Sequence, residues 1–158
     1  MEKLSLITSD IISSIEVWES KLENLSEETI TQRRNKQNRT IKQILGHLID
    51  SASNNLHRVV HLQYQPGPLT FPNYATFGNN DRWISIQNYQ KESWQIMIQL
   101  WKFSLLHLCH VIENIDEDKL NNEWFSSPEK KITLSEMIHD FPRHMKLHLN
   151  EINELINS

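Results

Sequence analysis

The chain has 158 residues, a formal net charge of −4, eight histidines, three glycines and one cysteine. One cysteine excludes an internal disulfide, and an acidic balance without a basic block argues against nucleic acid as the main partner. No run approaches the roughly 18–20 consecutive apolar residues of a membrane span, and MEKLSLITSDIISS lacks the basic start and apolar run of a signal peptide; one cytoplasmic domain over residues 1–158 is the expectation.

Apolar residues at spacings of three and four predict a first helix over about Leu4–Leu25, through Ile11, Ile12, Ile15, Trp18, Leu22 and Leu25. The polar SEETITQRRNKQNR reads as a connection. Thr40 with Gln43 forms a T-x-x-Q capping box, which opens a second helix running to about Gln63 through Ile44, Leu45, Leu48, Ala52, Leu56 and Val59. QPGPLTFPNYATFGNN is rich in helix breakers. Together with DRWISIQ it reads as a long connection, either functional or a crossover between non-adjacent helix ends. A third helix is predicted over about Tyr89–Asn114. A second capping box, Thr133 with Glu136, starts the fourth, which continues through Phe141, Met145, His148, Leu149 and Ile152 to Ile156. Four long helices around one hydrophobic core make an all-α, four-helix bundle with a long loop between helices two and three.

The histidines sort by helical phase, at about 100° per residue. His57, His61, His110 and His139 face away from the apolar stripes of their helices and read as solvated. His148 falls within the stripe of helix four and His144 on its flank, one turn apart in FPRHMKLHLNEI. Two inward imidazoles on adjacent turns each need a partner for both ring nitrogens, and a shared divalent cation serves both. A catalytic metal site takes a third ligand from another helix. On phase alone His47 and His107 are comparable candidates. His47 shares a polar seam with Ser51, Asn54 and Arg58, which as an isolated pattern reads as a solvated helix edge. Cys109 points to the core and reads as a small buried hydrophobe.

TIKQILGHLIDSASNNLHR, the long loop with DRWISIQNYQ, and DFPRHMKLHLNEI together resemble the DinB-like superfamily, in order and spacing, over nearly the whole chain. The resemblance implies a four-helix bundle with one metal-ligating histidine near the start of the second helix and an H-x-x-x-H pair on the fourth, here His47, His144 and His148. The family often has Gln or His where this chain has Glu151, and Trp where it has Arg39. Some relatives transfer low-molecular-weight thiols such as bacillithiol, mycothiol or glutathione, or isomerise a substrate with thiol assistance. Three neutral imidazoles suit zinc or nickel and leave a position open to water or a thiol. Asp140 and Glu151, near the pair on helix four, are candidates to orient a ligand or act as a base. Arg58 is a candidate for an anionic group of a small-molecule substrate, and Trp83 for a wall of its site. The expected function is a metal-dependent thiol transferase; metal-assisted hydrolysis and a non-enzymatic metal-binding bundle are the alternatives. Phe103 and Leu106, off the main stripe of helix three, suggest a homodimer.

Overall fold

Each long helix begins where local chemistry lets it begin. In the computed structural model of the chain, which describes residues 2–158, α1 (Glu2–Glu23) is followed by a short α2 (Glu27–Gln32) and by α3 (Ile41–Tyr64). Thr40 Oγ1 accepts the Gln43 N–H at 3.3 Å while the Gln43 side chain accepts the Thr40 N–H at 2.9 Å, so two of the free donors at the α3 entrance are satisfied reciprocally. A short α4 (Asn79–Gln87) and α5 (Trp94–Glu113) follow, then a hairpin of β1 (Glu123–Ser127) and β2 (Lys130–Thr133), and last α6 (Leu134–Ile156). Thr133 and Glu136 form the predicted box at the α6 entrance, and α6 runs unbroken through Pro142.

Helix α1 packs against α5 and α6, and α3 packs against the same two helices. The four long helices therefore ring one core in the order α1, α5, α3, α6. Leu22, Ile41, Leu45, Met97, Trp101, Leu134 and Ile152 are among the side chains wholly removed from water there. Burying each large apolar side chain is worth about 1.5–3 kcal/mol, which is what holds the ring together. The all-α bundle is thus as the apolar periodicity predicts, and the α3–α6 contact puts His47 beside His144 and His148.

The connections carry more order than their composition suggests. The polar stretch after α1 contains α2, capped by Ser26, with Ile30 buried. DRWISIQ lies in α4, a helix too short and too polar to show a stripe, with only Ile84 buried. Tyr89 does not open the third long helix: Tyr89–Lys91 is a 3₁₀ turn, and α5 starts at Trp94 under a Ser93 cap. Residues 123–133, where helices were the only elements expected, form the antiparallel hairpin. Helices α3 and α5 are neighbours, so the long loop between them is not a crossover. Instead its Leu69 joins β1: the Leu69 N–H donates to the Glu123 carbonyl at 3.1 Å and the Phe125 N–H to the Leu69 carbonyl at 2.9 Å.

One close approach ties α3 to the chain beyond α4. A Cβ at Gly46 would lie 2.2 Å from the Tyr89 ring, so only glycine admits this ring against the helix backbone. The ring brings its hydroxyl to Asp50, one turn further along α3, at 2.7 Å. Arg39, buried just before the capping residue, holds α4 through Asp81 at 3.0 Å.

Candidate metal centre

His47 stands in the second turn of α3, only 3% exposed, and His148 on α6 is 9% exposed. Their ring centroids are 4.5 Å apart, and His144 sits edge-on to both. The Nε2 atom of His144 lies 3.4 Å from Nε2 of His47 and 3.1 Å from Nε2 of His148. One proton on His144 Nε2 can serve only one of these two contacts, so lone pairs converge on a common point. An ion bound at about 2.0–2.1 Å to tetrahedral nitrogens would space them by about 3.3 Å, and the observed spacings fit it.

Burial decides the charge of this cluster. Desolvation first, and then the neighbouring imidazoles, lower the pKa of His47 from 6.5 to about 3. Desolvation first, then His148 and Arg143, lower His144 to about 4 against an opposing pull from Asp140. Both rings are neutral at pH 7 and offer lone pairs. His148 is oriented by its own helix: its Nδ1 is 3.0 Å from Oε2 of Glu151, so the Nδ1–H donates to the carboxylate and Nε2 is left free to face the cluster. Asn35 Nδ2 reaches the same Glu151 oxygen at 3.4 Å. Nδ1 of His47 is buried and has no hydrogen-bond partner, so no protein group sets its tautomer as Glu151 sets that of His148.

The other sequence candidates fall in three places. His107 is exposed on α5, as are His57, His110 and His139 on their helices. Asp140 is exposed and forms a two-pronged ion pair with Arg143, whose side-chain hydrogen bond pulls the carboxyl below its usual range. Arg58 is 9% exposed and shares a cavity wall with Trp83, itself 36% exposed. The seam His47, Ser51, Asn54, Arg58 is therefore not a solvated edge: all four are at least partly buried, because the long loop and the hairpin cover it. Cys109 is buried, and its thiol is pushed up to about 12, chiefly by desolvation, so it stays protonated.

Three participants were not legible in the sequence: Tyr74, Asp50 and Trp124. Tyr74, from the long loop, is 4% exposed and its ring stacks 6.4 Å from the His47 ring. Trp83, the sequence candidate, meets Tyr74 edge-on at 5.9 Å. Asp50 is 1% exposed; Oδ1 accepts from Tyr89 Oη and from Gln87 Nε2, both at 2.7 Å, while Oδ2 is buried and unpaired. Desolvation raises its pKa against those two hydrogen bonds. No periodicity could signal Tyr74 or Trp124 of β1. Asp50, an acid on a helix face that carries core residues, was the visible irregularity.

The fold is shared with solved proteins of low sequence identity. YfiT from Bacillus subtilis, described as a probable metal-dependent hydrolase with an unusual four-helix bundle topology, superposes with a TM-score of 0.85 at 14% identity, covering 98% of this chain and 86% of that one. The mycothiol-dependent maleylpyruvate isomerase superposes with a TM-score of 0.76 at 12% identity, and this chain, matched over 94% of its length, spans 60% of that enzyme. A histidine-to-alanine variant of the isomerase gives 0.75 at 11% identity. No curated protein matches the chain in sequence. The sequence model of the DinB superfamily matches residues 13–152, which is most of the chain and includes all three clustered histidines: the protein belongs to the DinB superfamily.

Proposed function

We propose that this protein is a divalent-metal-dependent enzyme that holds zinc or nickel with His47, His144 and His148 and transfers a low-molecular-weight thiol to a small-molecule substrate. The observation that carries the reading is the convergence of three imidazole nitrogens, two of them on rings kept neutral by burial, with no acidic group among the ligands. A bound ion supplies Lewis acidity to a thiol or a water in its remaining position. Glu151 acts as a positioning residue, holding His148 in the tautomer that presents Nε2. Asp140 is occupied by Arg143 and is poorly placed to take a proton. A thiol, with a pKa near 8.5, needs a protein base far less than water does, and this favours thiol transfer. Trp83 and Arg58, which share a cavity wall, contact the substrate. Residues 1–158 act as one domain in the cytoplasm, where thiols stay reduced.

The fold shared with a mycothiol-dependent enzyme supports thiol transfer, and the fold shared with YfiT supports a second reading, hydrolysis with Glu151 as the base. Turnover separates the two. Metal-loaded protein is expected to conjugate bacillithiol, mycothiol or glutathione to an electrophilic acceptor such as monochlorobimane, and His47→Ala to lose about 100-fold or more of that rate. Hydrolysis of esters or amides without thiol, abolished by Glu151→Gln with metal retained, would replace the first reading by the second. Neither activity in loaded protein would sink both.

We also propose that two copies associate through the outer face of α5. Ile96, Leu100 and Phe103 are spaced as one helical stripe and are 57%, 47% and 57% exposed, whereas Leu106 is half-buried against the core. No helix among the described residues is long and apolar enough to cross a membrane, so a membrane span does not account for the stripe. Sedimentation velocity should give twice the 18.8 kDa chain mass, and Phe103→Glu should halve it. A monomer at every concentration rules the dimer out.

A further inference from the structure

Arg58 is a buried cation without an anion. It lies about three turns beyond His47 on α3, and among the described residues no carboxylate or hydrogen-bond acceptor pairs with its guanidinium. Aromatic rings surround it instead: Cζ is 4.3 Å from the centre of the Trp124 ring, 5.2 Å from Tyr74 and 6.0 Å from Phe71. Ring faces attract a guanidinium but use none of its five N–H donors. Burial works against the charge, yet arginine keeps its proton in proteins. A desolvated, unpaired cation is therefore retained here at a cost that the rings offset only in part.

Space lies beside it. Arg58 borders a cavity of about 500 Å³ walled by Phe71, Tyr74, Phe77, Trp124 and Ser126, a volume suited to a small organic molecule. Among the described residues Arg58 is the only charged one in that wall, so the cavity suits a single negative charge better than a dianionic phosphate. Phe77 stands at the rim, 83% exposed, with left-handed backbone at φ 57°, a conformation a bulky residue seldom adopts. A flat apolar ligand would cover that ring.

We propose that Arg58 and the aromatic wall bind a small organic monocarboxylate with a flat apolar body, the carboxylate forked on the guanidinium and the body against Tyr74, Phe71 and Phe77. Both carboxylate oxygens match the parallel donors of the guanidinium. Tyr74 links this pocket to the histidine cluster through one ring, since it lines the pocket, stacks 6.4 Å from the His47 ring and lies 5.2 Å from Arg58 Cζ. The acid thereby becomes the candidate substrate of the metal-dependent reaction, and that use rests on the proposed function. Binding of the acid does not.

Calorimetric titration tests the pocket with 2-naphthoate, its neutral counterpart 2-naphthamide, and inorganic phosphate. The acid should bind at least about tenfold more tightly than the amide or phosphate, the scale of one forked, charge-assisted contact. Arg58→Gln should erase the preference, and Arg58→Lys, which keeps the charge without the fork, should reduce it. Melting temperature is the second readout. A cation kept for a ligand can be removed with little loss or a gain in thermal stability, whereas a structural pillar between rings cannot. Equal binding of acid and amide, equal binding of phosphate, a preference that survives Arg58→Gln, or collapse of the fold in both Arg58 variants would each overturn the proposal. Metal content and acid binding, both measured on the parent protein, separate the two readings. Acid binding retained with no metal bound in the parent protein refutes the metal centre alone. Loss of the preference in parent protein that does hold metal refutes the pocket alone.

Discussion

Replacing His144 and His148 together by alanine is expected to reduce bound metal from about one ion per chain to none, because a single remaining imidazole cannot compete with water for a dication. Elemental analysis of untagged protein reads this directly. The reason for expecting so large an effect is geometric. Two helices that pack against each other supply three nitrogens at the spacing a tetrahedral ion imposes, and packing has already overcome the cost of bringing them together. Glu151→Gln should act less severely. It removes the carboxylate that fixes the His148 tautomer while leaving all three ligands, and a loss of about 10–100-fold in metal affinity is the usual scale for such a partner. Thermal melts add a check without activity: at metal concentrations about 100 times the dissociation constant the parent gains about 2.7 kcal/mol, and the double variant gains nothing. No metal in the parent after reconstitution removes the centre, whatever the variant does.

Acid should unfold the metal-free protein early. His47 and His144 carry pKa values of about 3 and about 4 in the folded chain, against 6.5 when unfolded. Below pH 6.5 the unfolded chain takes up protons that the folded chain refuses, so stability rises with pH through this window and is fully present only above it. Each pH unit lost costs up to about 1.4 kcal/mol per histidine, so the pair together removes about 3–4 kcal/mol by pH 5. That is a large share of the ~5–15 kcal/mol that holds an ordinary domain together. Asp50 opposes this trend: its raised carboxyl pKa penalises the folded chain at neutral pH, and the penalty is relieved as acid protonates it. Urea midpoints from pH 8 to pH 5, with metal removed, should fall steeply for the parent and much less for a His47→Gln, His144→Gln variant. Equal slopes in the two proteins would show that the imidazoles are not desolvated.

Local chemistry made much of this protein legible before any contact was known. Apolar spacing identifies all four long helices, and two capping boxes place the starts of α3 and α6. A helix start depends on three or four neighbouring residues and a stripe depends on one turn repeating, so both are written within a short stretch of chain. His144 and His148 were recognisable for the same reason, being one turn apart on the inward side of α6. Short elements were not legible: α4 buries one residue, and a two-stranded hairpin depends on the helices it lies against.

Phase along a single helix left His47 and His107 equal, and family resemblance was needed to prefer one. The packing order around the bundle separates them, since α3 meets α6 and His107 of α5 faces outward. Burial of the His47 to Arg58 seam is likewise a property of two distant segments, the loop around Tyr74 and the strand around Trp124, closing over one helix face. Sequence by itself determined the helices and which residues each could present inward, because those depend on backbone hydrogen bonds and side-chain spacing a few residues apart. Only the tertiary structure decided which inward residues meet, which lose their water, and therefore which histidines stay neutral and which arginine stays unpaired: desolvation is set by what the rest of the chain lays on top.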